Sequence, residues 1–577
     1  MSVALDPSIP APAPVGAMIT WSAAVSQASP GTLWYRFRER SASSGASQYP
    51  PRARLAGTGF RMVRDYGPLS TLDWTASEHE GAYEIEVSVK NENTGETATA
   101  FAIYQMTSRV SGGAPAISPT ANPLVFLYSA PACPVGSQMR VQFQSPDGVA
   151  QSTPNKACLA GLSMNFYLAG MRPNTPYSVR HIVLTGSQSA AGPMLTVTTP
   201  GVPLSLAAYN VIKPPPVASG ILLQSTLFEG TIATDLSGNL VWFYQGDLTN
   251  LTRPQAGGYF LGVYENPTVD PSHEIVREFD LVGRTIAETN AARVSQQLVA
   301  MGMHPINAFH HEARMTPDGK ILVLANSERM LTDVQGPGAV DVLGDTILVL
   351  DSNLQVAWAW DAFDHLDPHR SAVLGEVCTP VGAGCAPFYQ APQANDWLHG
   401  NSLQLTPDGS ILYSSRHQDW LIKIDYSNGQ GSGNVIWRLG KDGDFQFNSS
   451  DPYPWFSHQH DANFVSDSDT ALAVFDDGNT RQAIDASANS RGQVLQLDEP
   501  NRVATLALNA DLGAYSYALG SAQKLPNGNY HFDVGFIQGN PAMSHSMEVD
   551  PSGSIVYDVQ VATPEYRTFR MADLYTP

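Results

Sequence analysis

Leu405-Thr-Pro-Asp-Gly-Ser-Ile-Leu-Tyr413 is the clearest copy of a pattern that recurs along the second half of the chain. The other close copies are Met315-Thr-Pro-Asp-Gly-Lys-Ile-Leu-Val323 and Leu525-Pro-Asn-Gly-Asn-Tyr-His-Phe532, with weaker versions at 253–259 and 466–472. Proline presets the φ angle of such a turn and glycine accepts a positive φ, so Pro-Asp-Gly and Pro-Asn-Gly are strong turn sequences. Each copy therefore predicts a tight turn between two short antiparallel strands.

A second repeat begins with aspartate and continues into an apolar or aromatic strand. It occurs six times, at 235–243, 280–286, 351–358, 425–437, 498–505 and 550–557. An inner and an outer hairpin together make four strands, and four-stranded units repeated six times predict a six-bladed β-propeller over residues 204–577. Three separate β-sandwiches, the alternative fold for this segment, predict no internal period of this kind.

Residues 1–108 and 109–203 are predicted to form two β-sandwich modules ahead of the propeller, which makes the whole chain all-β. Apolar and polar residues alternate along 82–89 and again along 97–104 after a glycine-containing turn, which favours an immunoglobulin-like sandwich over 1–108. The stretch Tyr167-Leu-Ala-Gly-Met-Arg-Pro-Asn-Thr-Pro-Tyr-Ser-Val179 resembles the late strands of fibronectin type III domains. Such modules are usually spacers, so we predict no chemistry in either.

The charge of the chain is strongly unbalanced. It has 32 basic and 53 acidic residues, for a formal net charge of -21. Such a surface repels phosphate backbones and anionic lipids, so we predict neither nucleic acid nor membrane as a partner. An anionic substrate would need a local positive site, which makes each Arg or His near a pocket informative.

The four cysteines form two local pairs, Cys133 with Cys158 and Cys378 with Cys385. We predict two disulfides formed in an oxidising compartment, since neither pair has the spacing of a zinc site. No basic residue precedes Arg36, and no apolar run approaches the ~18 residues of a membrane span. We therefore expect a periplasmic or secreted protein whose signal peptide has been removed, with a cytosolic location as the alternative.

Histidines recur at one register of three successive repeats. Counting six residues back from the turn proline, or from the serine in its place, leads to His311, Asn401 and His460. His399 lies two residues before Asn401 and shares its face, because strand side chains repeat every two residues. Arg416 follows on the partner strand of the same hairpin. One such histidine is usually structural, but three at this register or two residues before it favour a functional cluster at the mouth of the propeller.

These residues resemble those of the bacterial arylsulfate sulfotransferases, a family that uses no nucleotide sulfate donor. The resemblance covers about 204–577 and rests on 309–312, 399–403, 415–425, 458–462, 474–478 and 521–529. It implies a six-bladed propeller with a β-sandwich-like N-terminal domain, and a ping-pong transfer of a sulfuryl group from one phenolic ester to another phenol. It also implies that His460 is transiently sulfurylated. His311, His399, Asn401 and Arg416 match the residues that hold the sulfuryl oxygens and assist proton transfer.

Elementary chemistry agrees with that assignment. A neutral imidazole is a nucleophile near pH 7 and forms a labile covalent intermediate. Fixed donors around the sulfuryl oxygens lower the barrier, each typically by ~3 kcal/mol. Arg416 supplies a permanent positive charge, and a histidine beside the leaving oxygen can give and retake a proton. His417 has the opposite parity and is expected to be structural.

Two other functions are compatible with the cluster. A metal-dependent hydrolase or lyase would use the histidines as ligands, although Arg416 and Asn401 in the same ring argue against a cation. A non-catalytic secreted binding propeller is the other alternative. We predict no cofactor and no metal, and an aryl sulfate and a phenolic acceptor as partners. Trp397, Trp455 and Phe456 are candidates to contact the aromatic group. The natural substrates and the oligomeric state, with a homodimer among the options, stay open.

Overall fold

The computed structural model describes residues 1–42, 59–216, 219–246, 252–264, 270–379, 384–465 and 469–577. The chain is all-β, with 51% strand and 4% helix, and the all-β prediction is confirmed. Ser466, from which the register of His460 was counted, lies outside the described residues. The longest helix in the described ranges has 10 residues, and no helix there is long and apolar enough to span a bilayer.

The first eight strands form two sheets around one core. They are β1 (Ser2–Pro7), β2 (Ala13–Pro14), β3 (Ile19–Ser26), β4 (Leu33–Ser41), β5 (Arg61–Gly67), β6 (Thr71–Trp74), β7 (Gly81–Asn91) and β8 (Thr97–Thr107). One sheet has the order β1-β3-β6 and the other runs β2-β8-β7-β4-β5. Period-two alternation along β3 buries Ile19 and Trp21 and leaves Ser22 exposed. Ile19 and Trp21 pack in the core with Phe37, Trp74 and Ile85.

The next nine strands enclose a second core. They are β9 (Ala116–Pro119), β10 (Phe126–Ala130), β11 (Gln138–Gln144), β12 (Ala150–Ser152), β13 (Lys156–Ala157), β14 (Met164–Leu168), β15 (Pro176–Thr185), β16 (Gln188–Ala191) and β17 (Leu195–Thr198). Their core includes the disulfide Cys133–Cys158. Cys378 and Cys385 are also bonded to each other, so both predicted disulfides are confirmed.

In its described residues, the remainder of the chain contains strands, three 3-10 helices and two α-helices, α1 (Ala291–Ala300) and α2 (Asn479–Gln482). The strands up to residue 361 are β18 (Tyr209–Lys213), β19 (Ile221–Thr226), β20 (Gly230–Asp235), β21 (Leu240–Phe243), β22 (Thr252–Gln255), β23 (Tyr259–Tyr264), β24 (Ile275–Asp280), β25 (Thr285–Asn290), β26 (Ala308–Met315), β27 (Ile321–Thr332), β28 (Ala339–Leu350) and β29 (Val356–Asp361). Those that follow are β30 (Val377–Cys378), β31 (Ala394–Asp396), β32 (Gly400–Leu405), β33 (Ile411–Ser415), β34 (Trp420–Ile424), β35 (Val435–Gly440), β36 (Gln446–Asn448), β37 (His460–Phe464), β38 (Ala471–Asp476), β39 (Arg491–Asp498), β40 (Val503–Asp511), β41 (Gly520–Lys524), β42 (Tyr530–Ile537), β43 (Met543–Val549), β44 (Ile555–Val561) and β45 (Glu565–Met571).

Consecutive strands of this segment pair antiparallel in groups of four. In the described residues these groups are β22–β25, β26–β29, β32–β35, β37–β40, β41–β44, and β19–β21 together with β45. The last strand, β45, thus completes the sheet of β19, and the early strand β18 pairs with β44. The first sheet of the segment therefore contains its last strand, β45, and the last sheet contains its first strand, β18. The six-bladed propeller is compatible with this pairing and stays a prediction.

Three of the groups begin on a strand that is bulged at its start. The register shifts between Phe309 and Ala313 in β26, between Gly400 and Ser402 in β32, and between His460 and Asn463 in β37. A bulge twists a strand locally and redirects the side chains beside it. The same local irregularity therefore recurs at or beside His311, His399, Asn401 and His460, whereas Arg416 follows the regular strand β33.

Candidate active site

The predicted histidines lie close together at the bulged ends of these strands. The ring centroids of His311 and His399 are 4.8 Å apart, and the two rings meet edge to face. Asn401 donates from Nδ2 to the backbone oxygen of Gln459 at 2.7 Å, which links it to the residue before His460. Positive charge on Arg416 and on His399 acts on His460. The structure therefore brings all five predicted residues into one cluster.

His460 is buried and paired with a carboxylate. Its Nδ1 lies 2.7 Å from Oδ2 of Asp477, and the two residues are 1% and 0% exposed. Burial, and then the charges of Arg416 and Arg567, lower the pKa of His460 well below its usual value. Burial likewise raises the pKa of the Asp477 carboxyl well above its ordinary range. His460 is therefore neutral, and a proton on Nδ1 facing Asp477 would leave a lone pair on Nε2.

His399 is held in the same way. Its Nδ1 lies 2.7 Å from Oδ2 of Asp396, and its side chain is 14% exposed. Its backbone φ of 48° lies in the left-handed region, immediately before the bulged strand β32. A carboxylate that holds one ring nitrogen orients the other one. The cluster thus contains two imidazoles, at His460 and His399, whose Nδ1 atoms face carboxylates.

Arg416 brings a positive charge without a paired carboxylate. Among the described residues, no carboxylate oxygen lies within 4 Å of its guanidinium nitrogens. Nη1 donates to Nε2 of His417 at 2.6 Å, Nη2 donates to the backbone oxygen of Tyr517 at 3.3 Å, and Nε is buried with no acceptor. The Nδ1 of His417 in turn contacts the backbone oxygen of Asp396 at 2.7 Å. His417 therefore positions Arg416, and the guanidinium is left available for an anion.

His311 and Asn401 are engaged mainly by protein groups. His311 Nδ1 contacts Nδ1 of His310 at 2.9 Å, and burial followed by the charge of His399 lowers its pKa well below the usual value. Asn401 is fully buried, and its Oδ1 has no hydrogen-bond donor among the described residues. Nδ2 of Asn401 donates one N–H to Gln459, and its second N–H has no acceptor among the described residues.

The residues that sequence reasoning missed are the partners of these side chains. Asp477 and Asp396 orient the two imidazoles. Arg567 is fully buried on β45, donates to Asn401 O at 2.9 Å, and pairs with Glu312 Oε2 at 2.9 Å and with a carboxylate oxygen of Asp461 at 3.1 Å. Asp477 belongs to the Val474-Phe-Asp-Asp-Gly478 stretch, so a signal for it existed; Arg567 had none.

A further histidine borders the cluster. His458 contacts Asp419 Oδ1 through Nδ1 at 2.9 Å and Glu376 Oε1 through Nε2 at 2.5 Å. Burial alone would lower its pKa, but hydrogen bonds to the two carboxylates raise it. With a carboxylate at each ring nitrogen His458 suits the imidazolium form, which has no free lone pair.

Within the part of the chain that the structure describes, two groups of side chains have the spacing of metal ligands, namely Glu376 with His417 and His458, and Asp396 with His399 and His417. His417 belongs to both, yet its Nε2 accepts a hydrogen bond from the Arg416 guanidinium. A cation at either position would have to displace that donor and lie beside its charge. The contacts of the cluster therefore suit an anion better than a metal ion.

The three aromatic residues predicted as candidates to contact the aryl group pack against other protein side chains. Trp397 and Phe456 are 1% exposed and belong to hydrophobic cores, while Trp455 packs against Phe447 with ring centroids 4.5 Å apart. The backbone oxygen of Tyr517 accepts a hydrogen bond from Arg416, and the residue Tyr517 is 48% exposed. Tyr517 is thus the accessible aromatic residue that adjoins the cluster through a described contact.

Comparisons with known proteins add to this description. A protein family described as arylsulfotransferase (ASST) matches residues 193–570. A curated relative, arylsulfate sulfotransferase AssT from Escherichia coli, is 28% identical over 225 residues, which cover 34% of this chain and 34% of the relative. The chain thus spans about a third of that relative's length.

Among solved structures, a two-domain fibronectin type III segment of chicken tenascin is 14% identical with a TM-score of 0.14, covering 34% of this chain and 98% of its own. The chicken interferon gamma receptor alpha chain is 8% identical with a TM-score of 0.13 and the same coverages. The fold described above rests on the strand pairing alone.

Proposed function

The chain belongs to the arylsulfotransferase (ASST) family, and we propose that it moves a sulfuryl group from an aryl sulfate ester to a phenol. One observation carries the proposal. The guanidinium of Arg416, which forms no ion pair with a described carboxylate, lies in the same cluster as the histidine–carboxylate pairs of His460 and His399. A fixed cation with unused N–H groups binds a sulfate ester, and the two imidazoles supply a nucleophile and a proton carrier.

In the first half-reaction, Nε2 of neutral His460 attacks the sulfur of the donor. The N–S bond forms while the bond from sulfur to the aryl oxygen breaks, and the electron pair leaves on the phenolate. The imidazolium of His399, stabilised by Asp396, gives its Nε2 proton to that oxygen. The products are the free phenol and a sulfurylated His460, whose Nδ1–H remains bonded to Asp477.

In the second half-reaction, the acceptor phenol gives its proton to Nε2 of His399. The resulting phenolate attacks sulfur, the new S–O bond forms, and the N–S bond breaks with its electron pair returning to Nε2 of His460. The enzyme is thereby restored with the same number of protons. Donor and acceptor use the site in turn, which is a ping-pong mechanism.

The sulfuryl oxygens are assigned to Arg416, His311 and Asn401. Arg416 offers its Nε, which has no other acceptor. His311 is 9% exposed, and Asn401 keeps an amide hydrogen beyond its bond to Gln459. Donors that are fixed before reaction stabilise the charge that develops on these oxygens, each by about 3 kcal/mol.

We also propose the arrangement in which this site is held. Residues 204–577 form a six-bladed β-propeller, preceded by an immunoglobulin-like sandwich over 1–108 and a fibronectin type III-like sandwich over 109–203. The strand groups of four and the pairing of β45 with β19 support the propeller. The two disulfides support a periplasmic or secreted location. We also propose a homodimer, which a measurement of the molecular mass in solution would test.

The experiment is release of 4-nitrophenol from 4-nitrophenyl sulfate in the presence of phenol. We expect turnover by the wild-type protein, a mass increase of about 80 Da on His460 when the reaction is quenched without an acceptor, and loss of both in His460→Ala. Arg416→Met should lower kcat/KM about 100-fold or more. Turnover without an adduct, or an adduct on another residue, would exclude His460 as the nucleophile.

The chain offers a matched control. His545 also contacts a carboxylate through Nδ1, at 2.9 Å from Asp558 Oδ1, but it lies outside the cluster. His545→Ala therefore removes a histidine–carboxylate pair without touching the site, and we expect its phenol release to equal that of the wild type. Equal losses in His545→Ala and His460→Ala would indicate damage to the fold rather than loss of a nucleophile.

A further inference from the structure

A cavity lies at the other end of the strands that carry the histidines. It has a volume of about 1090 Å³ and is lined by the turn prolines Pro317 and Pro407, which follow β26 and β32, and by Pro526, which follows β41. None of the five residues of the candidate active site lines it. The cavity and the histidine cluster therefore occupy opposite ends of the same strands.

A layer of buried charges separates the cavity from the cluster. Arg567 pairs with Glu312 and Asp461, and Arg253 pairs with Glu312 at 2.7 Å and contacts Asp461 at 3.5 Å. This charge layer, formed by Arg253, Glu312, Asp461 and Arg567, is fully or almost fully buried. A ligand in the cavity would therefore meet the charge layer before it could reach a histidine.

Arg314 lines the cavity next to this layer and has unused donors. Its Nη1 donates to Leu403 O at 2.9 Å and to Asn463 Oδ1 at 2.8 Å. Nε and Nη2 have no acceptor among the described residues, and no described carboxylate lies within ion-pair distance. Burial, and then the nearby charge of Arg253, lower the pKa of Arg314 to about 10. Its guanidinium is cationic at neutral pH and lacks a carboxylate partner.

Gln255 contributes a second unused donor. It also lines the cavity, and its Nε2 is buried with no hydrogen-bond acceptor among the described residues. Buried amide groups normally have partners, since leaving one unpaired costs about 1–3 kcal/mol. A ligand that accepts hydrogen bonds from both Gln255 and Arg314 would remove this cost.

The charge layer and Arg314 together contain three arginines and two carboxylates, and Lys524 also lines the cavity. The walls also include the apolar side chains of Leu261, Phe464 and Phe569. A pocket with a few convergent polar groups and apolar walls is typical of small-molecule sites.

We propose that this cavity is a second binding site, distinct from the histidine cluster, for an organic anion with one oxyanion head and an apolar body. The sulfonate, sulfate or carboxylate head accepts hydrogen bonds from Arg314 and Gln255, and its negative charge faces the Arg314 guanidinium. The apolar body lies against Phe464 and Phe569. The proposal depends on no step of the sulfuryl transfer.

The test uses 4-methylbenzenesulfonate, which has the required head and body but no ester bond to transfer. Its binding is measured by isothermal titration calorimetry with the wild type, Arg314→Met and Arg416→Met. We expect Arg314→Met to weaken one binding event about tenfold or more while Arg416→Met retains it. Binding that is unchanged in Arg314→Met, or lost only in Arg416→Met, would overturn the proposal.

Two more variants separate the site from general effects. Gln255→Leu removes one donor and leaves the contacts of Arg314 to the backbone intact, so it should weaken the same event severalfold even where Arg314→Met folds poorly. Lys441→Met removes a positive charge at an exposed position that does not line the cavity and should bind like the wild type. Equal weakening in Lys441→Met would show only a response to net charge. Phenol release from 4-nitrophenyl sulfate should be unchanged in Gln255→Leu, so a failure of either function is recognised separately.

Discussion

At the scale of single residues, the position of one proton on His460 decides whether its Nε2 can act as a nucleophile. When Asp477 is ionised, the contact of Nδ1 with its Oδ2 at 2.7 Å favours a proton on Nδ1. Asp396 gives His399 the same orientation. The two imidazoles are thus prepared alike, and their different exposure suits a buried nucleophile and a more accessible proton carrier.

Asp477→Asn tests that preparation. The amide can donate to Nδ1 and thereby place the imidazole proton on Nε2, so we expect kcat for phenol release to fall about 100- to 1000-fold. The residual pH profile should also change, which a purely structural role would not cause. A variant with normal kcat and an unaltered profile would mean that Asp477 does not orient His460.

The pH dependence of the donor half-reaction provides a second test at this scale. Because the pKa of His460 is lowered, its imidazole stays neutral as the pH falls past the usual value of about 6.5. We expect kcat/KM for the aryl sulfate not to decrease as the pH falls from about 6.5 to about 5.5, measured by initial rates in constant ionic strength. A decrease on the acid side of pH 6.5 would contradict a buried neutral nucleophile.

At the scale of elements, three bulged strands meet on one arginine. Arg567 of β45 contacts the backbone of Asn401 and the carboxylates of Glu312 and Asp461, which directly follow His311 and His460 in β26 and β37. The φ angles of His311 and Asp461 are 57° and 46°, a region that L residues adopt only when surrounding contacts hold them there. Arg567 is therefore a positioning residue for the site.

Arg567→Met should loosen all three strands together. It leaves Glu312 and Asp461 buried without this partner, so we expect the apparent free energy of unfolding to fall by about 3–5 kcal/mol. In protein that remains folded, kcat should fall at least tenfold while KM changes less. Arg567→Lys, which keeps the charge, should recover part of both losses. Wild-type kcat in a folded Arg567→Met would show that the three bulged strands keep their conformation without Arg567.

At the scale of the whole molecule, a buried ion network links the first module to the later sheets. Glu288 of β25 accepts from Arg64 of β5 at 2.7 Å and from Arg277 of β24 at 2.5 Å, and a parallel bridge joins Glu288 to Arg64. Burial alone would raise the pKa of Glu288, but the two arginines lower it to about 2. The N-terminal module is thus connected to the site-bearing segment by charge as well as by packing.

Glu288→Gln should reveal that connection in the pH dependence of stability. A carboxyl whose pKa is lowered by folding stabilises the protein above its unfolded pKa of about 4.3, and the contribution is lost as the pH falls towards about 2. We expect the variant to be about 3 kcal/mol less stable than the wild type in urea at pH 7, and the difference to shrink between pH 4.3 and 2. Glu84→Gln, which disrupts a more exposed pair with Arg40, should change stability by no more than about 1 kcal/mol.

The sequence by itself determined the all-β class, the two disulfides and the residues of the cluster. Turn sequences and period-two alternation are local, so His311, Asn401 and His460 could be aligned by counting from their turns. The tertiary structure alone decided what those residues touch. Asp477 is 17 residues from His460 and Arg567 is 255 residues from Glu312, and no local pattern relates them. Likewise, Nε of Arg416, Nε and Nη2 of Arg314 and Nε2 of Gln255 have no acceptor among the described residues because of how the sheets pack. Strand periodicity specifies which face a side chain takes, whereas its neighbours across sheets depend on packing between distant segments.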